Sequence, residues 1–132
     1  MSQKTLQRLM AIAIGVSYFW FGALKCVPGL SPAEDLVINT VDILFFGIIP
    51  ASISIYIVAV WEVLLGLLLF SGFQRKLAAT AVLIHMAFTF APLFIMSDLS
   101  FSAFPALTLV GQYIMKNLVF MVGAISLLAD YE

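Results

Sequence analysis

Four apolar stretches, separated by shorter polar segments, constrain the fold of this chain more than any other feature. They cover approximately residues 6–24, 53–70, 77–95 and 112–129, and each approaches the roughly 17–25 residues that a membrane-spanning helix needs. Because lipid cannot satisfy backbone polar groups, a spanning segment must be a helix or part of a closed barrel. The stretches are continuously apolar and do not alternate, which indicates helices. We therefore predict an all-α, integral membrane four-helix bundle, with residues 1–132 as a single membrane domain.

The composition supports a membrane protein and excludes several functions. Hydrophobic residues make up 64% of the chain and charged residues 10%, against about 25% charged residues in a typical soluble domain. The net charge of −1, with no basic cluster longer than Arg75-Lys76, argues against nucleic-acid binding. One cysteine, Cys26, and one histidine, His85, cannot form a CxxC redox pair, a cysteine-based zinc site or a bis-histidine haem site. We expect no metal and no haem.

The positions of the cations predict an orientation in the membrane. Lys4 and Arg8 precede the first span, and Arg75 and Lys76 occupy the short second-to-third connection, whereas the first long loop carries carboxylates. The positive-inside rule places the N-terminus and the second-to-third connection in the cytoplasm. Four spans return the C-terminus to the same side, so we expect a multi-pass protein of the bacterial inner membrane with both termini cytoplasmic.

The loop between the first and second spans predicts a short amphipathic helix over about residues 32–48. The segment from Ser31 to Glu34 combines a capping box with a proline at the first helical position. The apolar residues at positions 37, 41, 44 and 48 then share one face. This pattern favours a helix that lies on the outer membrane surface or covers the bundle. A re-entrant half-helix is the alternative.

Each span carries polar residues in or near its outer half, and Glu62 is the most informative. It lies near the middle of the second span, where a charge costs at least about 2.5–3.5 kcal/mol, so it should face protein or water. His85 in the third span comes out at a similar depth, at about 1.5 Å per residue. Lys25 ends the first span, and Gln112 and Lys116 lie in the first turns of the fourth. We predict that these five residues form a polar core or ligand-binding site.

Four of these residues also have a purely structural interpretation. Glu62 paired with a lysine locks helices together, and His85 forms a hydrogen bond between helices. Lys25 and Lys116 act as cations that extend to the membrane surface. A third function, ion or proton conduction, needs a continuous polar path. Because the cytoplasmic halves of the spans are almost wholly apolar, the sequence argues against it. No catalytic residue is assigned.

Three segments resemble the DoxX-like family of small membrane proteins. Residues 15–25 are similar to the pattern G-x-x-F-x-x-x-G-x-x-K, residues 61–73 contain E-x-x-x-G-x-x-L-x-x-G, and residues 111–118 resemble G-[RQ]-[YF]-x-x-K-[DN]-L. The resemblance implies a four-helix membrane bundle and an association with quinone-coupled thiosulfate oxidation or oxidative-stress complexes. His85 lies in the third span, where such proteins often carry histidine. The resemblance therefore supports Lys25, Glu62, His85 and Lys116 as positions of interest, without assigning them catalytic roles.

Two functions follow as hypotheses. In the first, the protein contacts membrane lipid and binds a small lipophilic ligand, such as a quinone, in a polar intramembrane pocket. It then supports a redox or stress-related complex with a soluble or membrane redox partner. In the second, it is a non-catalytic structural or assembly protein whose polar residues only lock helix packing. A homo-oligomer is compatible with both.

Overall fold

The structure is a computed structural model that describes residues 1–130. In chain order its elements are α1 (Gln3–Lys25), α2 (Glu34–Leu44), α3 (Ala51–Ser71), α4 (Arg75–Thr89), α5 (Pro92–Ile95), α6 (Ser97–Ser100), β1 (Phe101–Ala103), β2 (Ala106–Leu107), α7 (Leu109–Met115) and α8 (Asn117–Leu128).

Four segments within the described residues are long and apolar enough to cross a membrane. They are α1, α3, α4 with α5, and α7 with α8, which span Gln3–Lys25, Ala51–Ser71, Arg75–Ile95 and Leu109–Leu128. The protein is a multi-pass membrane protein, and the predicted all-α four-helix bundle with a short outer helix between spans 1 and 2 is confirmed.

The two ends of the bundle differ in their side chains. One end, called the cationic end here, carries Lys4, Arg8, Arg75 and Lys76 at the start of α1 and of α4. The opposite end carries α2, which packs on α3 and α5, and is called the α2 end. The connections therefore place the end of α1 and the beginning of α3 near α2.

Glycines allow α1 and α3 to approach backbone to backbone. A Cβ atom added at Gly66 would lie 2.6 Å from the backbone nitrogen of Phe19 and 2.7 Å from the carbonyl oxygen of Gly15. A Cβ atom at Gly22 would lie 2.8 Å from the backbone nitrogen of Val63. Small residues are favoured at such contacts because lipid gives no hydrophobic drive to helix association, so close packing must supply it. This pair of helices fixes the depth of the polar residues that they carry.

Helix α2 is shorter than the predicted range of residues 32–48, because local hydrogen bonds end it at both sides. At its start, the hydroxyl of Ser31 accepts from the N–H of Ala33 at 3.2 Å, and the carboxylate of Glu34 accepts from the N–H of Gly29 at 2.7 Å. These bonds replace the expected capping box. At its end, Phe46 has a positive φ of 54° and the N–H of Gly47 donates to the carbonyl of Asp42 at 2.8 Å, which forms a Schellman motif.

The third and fourth spans are interrupted, and an antiparallel hairpin of β1 and β2 lies between them. Pro92 begins α5 after a break at Phe90 and Ala91, because proline has no N–H for the helical ladder. The fourth span breaks at Lys116, between α7 and α8. The sequence analysis predicted neither break and did not predict the hairpin.

Candidate functional site

A buried ion pair joins α1 to α3. The ammonium of Lys25 lies 2.7 Å from Oε2 of Glu62, and the side chains of the two residues are 4% and 11% exposed. Lys25 Nζ also donates to the carbonyl oxygen of Phe21 at 3.4 Å. The absence of a side chain at Gly22 permits the contact, because a Cβ atom there would lie 2.8 Å from the Cβ of Glu62. The pair is thus a consequence of the close helix packing.

His85 of α4 extends this pair to a third span. Its Nε2 lies 3.7 Å from Oε1 of Glu62, which is longer than a hydrogen bond. Its Nδ1 lies 3.1 Å from the hydroxyl of Tyr18, and either atom can be the donor, depending on the histidine tautomer. Lys25, Glu62, His85 and Tyr18 therefore form one polar chain across α1, α3 and α4, called the polar chain below.

Two atoms of the polar chain remain accessible. Oε1 of Glu62 and Nε2 of His85 have no hydrogen-bond partner among the described residues. Within residues 1–130, however, no side-chain nitrogen or oxygen atom is both fully buried and without a partner. Both atoms therefore retain some accessible surface. Their separation of 3.7 Å is suited to a bridging oxygen atom that bonds to both.

A cavity of about 680 Å³ adjoins the polar chain and extends beneath α2. This volume lies within the range of about 300–1,000 Å³ that is typical of sites for small molecules. Its lining is predominantly apolar, and α2 covers it with Leu36, Val37, Thr40, Val41 and Leu44. The exposed side chains of Trp61 and Phe88 also line it, so the cavity opens onto the surface of the bundle between spans.

The predicted site residues have different positions relative to this cavity. Lys25, Glu62 and His85 lie together at its wall, and Lys116 lines it from the fourth span. Gln112 is exposed and is not part of the lining, although Tyr113 and Ile114 of the same helix α7 are. The structure thus brings four of the five residues to one cavity.

The sequence analysis did not assign four other polar residues of the cavity. The hydroxyl of Tyr18 completes the polar chain, and its position seven residues before Lys25, two turns along one helix face, is a signal for it. Tyr113 of α7 also lines the cavity. The amide of Asn117 donates to the hydroxyl of Thr89 at 3.1 Å and links the two interrupted spans, for which the sequence gives no signal.

The arrangement is suited to hydrogen bonding and proton transfer rather than to metal binding. Within the described residues, no group of three or more histidine, cysteine or carboxylate side chains could hold a metal ion. The ammonium, carboxylate, imidazole and phenol of the polar chain can each give or receive a proton or a hydrogen bond. A ligand oxygen atom in the cavity would therefore meet both donors and acceptors.

Comparison with known proteins agrees with this architecture. Neither the curated proteins nor the solved structures gave a significant match. The sequence model of the DoxX family matches residues 9–98, which include Lys25, Glu62 and His85 but end before Gln112 and Lys116. Because the match covers more than half of the chain and the fold is a four-helix membrane bundle, the protein belongs to the DoxX family.

Proposed function

We propose that the protein binds a small lipophilic ligand, such as a quinone, in the cavity beneath α2 and supports a redox or stress-related membrane complex. The observation that carries this proposal is the accessible pair of Oε1 of Glu62 and Nε2 of His85 at the wall of an otherwise apolar cavity. Sites for small molecules have this character, with apolar walls and a few polar groups that fix orientation.

The residues at the wall fit the two redox states of a quinone. The carbonyl oxygen of a quinone accepts a hydrogen bond from Nε2 of His85 or from the ammonium of Lys116. The hydroxyl of the reduced form also donates to the carboxylate of Glu62. Reduction of a quinone takes up two electrons and two protons; His85 and Glu62 relay the protons, and a partner protein donates the electrons.

Binding can be tested with protein purified in detergent and supplied with decylubiquinone. We expect a rise in melting temperature that depends on the quinone concentration, since a ligand of the folded state stabilises it. Thr40→Phe fills the cavity from α2 and should abolish the rise, whereas the control variant Ile43→Phe places a phenyl ring on the same helix outside the lining and should retain it. No co-purified quinone and no shift in the wild type would reject the proposal.

A structural or assembly role is the second candidate, and the ion pair is the observation that favours it. Lys25 and Glu62 satisfy each other at 2.7 Å, as residues do that only fix helix packing. This role predicts that the double variant Lys25→Met with Glu62→Gln preserves function in cells while it lowers the stability of the bundle. Ligand binding predicts loss of function in the same variant even where the protein accumulates normally.

We also propose that the protein resides in a bacterial inner membrane with its cationic end in the cytoplasm, as the positive-inside rule predicts. Cys26 is exposed and lies at the α2 end of α1. A membrane-impermeant maleimide should therefore label Cys26 in intact cells. It should not label the variant Ser71→Cys made in a Cys26→Ser background, since Ser71 lies at the cationic end. The reverse labelling pattern would invert the orientation.

A further inference from the structure

A second cavity, of about 400 Å³, lies at the cationic end. Lys4 and Arg8 line it from the first turns of α1, and Arg75 lines it from the start of α4. One carboxylate, that of Asp130, also lines it, but its Oδ2 accepts a hydrogen bond from Lys76 at 2.6 Å. Among residues 1–130, cations therefore outnumber carboxylates at the walls, and Asp130 is already paired.

Gln7 holds one of these cations in place. Its side chain is buried, and its Nε2 donates to the carbonyl oxygens of Ser126 and Ala129 at 2.7 and 2.8 Å. Its Oε1 accepts a hydrogen bond from Nη1 of Arg75 at 2.8 Å. One of the five N–H donors of Arg75 thus ties its guanidinium, through Gln7, to α1 and to the end of α8. The other donors have no partner in the part of the chain that the structure describes.

Arg8 occupies space that Gly72 leaves open. Gly72 ends α3 with a left-handed φ of 78°, and a Cβ atom there would collide with Nη1 of Arg8. Arg8 has no hydrogen bond or ion pair within the described residues. Arg75, in addition, is the first residue of α4, whose N-terminus has no side-chain cap. The free N–H groups of that first turn add a partial positive charge beside the cavity.

We propose that this cavity binds a phosphate group, supplied either by the headgroup of an anionic phospholipid in the adjoining leaflet or by a soluble phosphate. Planar guanidinium groups match the oxygen geometry of phosphate, and two of them line the site. Basic pockets between spans at a membrane surface are suited to lipid headgroups. Phe70 and Phe73, 53% and 65% exposed beside Gly72, offer apolar surface for the acyl chains of such a lipid.

Native mass spectrometry of the full chain in detergent, with equal phosphatidylglycerol and phosphatidylcholine, tests this proposal. We expect preferential retention of phosphatidylglycerol, and a loss of about tenfold in its affinity, equivalent to about 1.4 kcal/mol, in Arg8→Gln. Lys4→Gln should also weaken the retention of phosphatidylglycerol. Because Lys4 is exposed, this variant can replace Arg8→Gln in the test if Arg8→Gln does not fold. The control Gln3→Glu changes the net charge by the same amount as Lys4→Gln and lies on the same helical turn, but Gln3 does not line the cavity. This variant should retain phosphatidylglycerol.

Inorganic phosphate distinguishes the two sources. If excess phosphate does not displace phosphatidylglycerol, the headgroup of a lipid is the ligand. If phosphate alone raises the melting temperature of the wild type, but not of Arg8→Gln, the ligand is a soluble phosphate. Equal retention of both lipids without any response to phosphate would overturn the proposal. A loss in Gln3→Glu as large as that in Arg8→Gln would also overturn it, because it would indicate attraction by net charge alone.

Discussion

The ion pair between Lys25 and Glu62 makes a quantitative prediction about stability. Both side chains are buried, and their charged atoms are 2.7 Å apart. Lys25→Met removes the ammonium and leaves a carboxylate without its partner. Glu62→Gln removes the negative charge, and a third variant combines the two substitutions. The three variants complete a double-mutant cycle, which isolates the interaction energy of the pair.

The expected magnitude follows from the geometry. At a separation of 2.7 Å and an effective dielectric constant of about 20, the Coulomb attraction is about 6 kcal/mol. The cost of removing both groups from water offsets much of this, so the pair as a whole contributes little. Removing one partner should cost about 3–5 kcal/mol, because an uncompensated charge stays buried. Because the pair as a whole contributes little, the double variant should cost no more than either single variant, so the coupling should be about 3 kcal/mol or more.

Reversible unfolding of the protein in mixed detergent micelles, followed by circular dichroism, measures these free energies. A second cycle between Lys116→Met and Glu62→Gln is the control, since Lys116 lines the same cavity but forms no ion pair with Glu62 within the described residues. That cycle should give a coupling of less than about 0.5 kcal/mol, as for independent sites. Additive effects of Lys25→Met and Glu62→Gln would refute the reasoning, because they would mean that the charges do not interact.

Three further predictions concern other contacts. Gly66→Ala should destabilise the bundle by about 1–3 kcal/mol, because backbone atoms of α1 lie 2.6 and 2.7 Å from the added Cβ; a shift in the detergent unfolding midpoint measures it. Tyr18→Phe should cost about 1–3 kcal/mol in the same assay, since Nδ1 of His85 loses its partner, and an unchanged midpoint would contradict this. The hydrogen bond from Lys76 lowers the pKa of Asp130 below the usual value for aspartate. The pair therefore stabilises the fold when the pH is above the usual pKa of aspartate, and this contribution is lost as the pH falls through the lowered pKa. Carboxyl NMR titration should show the pKa of Asp130 rising in Lys76→Gln.

The spans and the burial of Glu62 were predictable because the bilayer imposes strict costs. A run of apolar residues long enough to cross lipid must be helical, whatever its neighbours are. A carboxylate at mid-span must find a partner or water, which makes Lys25 and His85 candidate partners from the sequence alone. The rise per residue was sufficient to place Glu62 and His85 at one depth, and they lie 3.7 Å apart.

The remaining features depend on local geometry that hydropathy does not encode. The placement of Gln112 outside the cavity lining depends on how α7 is rotated about its axis, since its neighbours Tyr113 and Ile114 do line the cavity. The extent of α2 depends on the left-handed backbone of Phe46, which a capping pattern at the other end of the helix does not predict. The cavity itself depends on how α2 packs on α3 and α5, and no single segment specifies that packing.

The ion pair and the proposed ligand site need not compete, because they use different oxygen atoms of Glu62. Oε2 is committed to Lys25 at 2.7 Å, and this contact fixes the carboxylate at the interface of α1 and α3. Oε1 is then held towards Nε2 of His85 at 3.7 Å, a gap that a purely structural network would gain stability by closing. The hydrogen bond between the hydroxyl of Tyr18 and Nδ1 of His85 restrains the imidazole on its other side. An ion pair that fixes Glu62, next to an accessible pair formed by Oε1 of Glu62 and Nε2 of His85, is the arrangement expected where helix packing positions polar groups for a ligand.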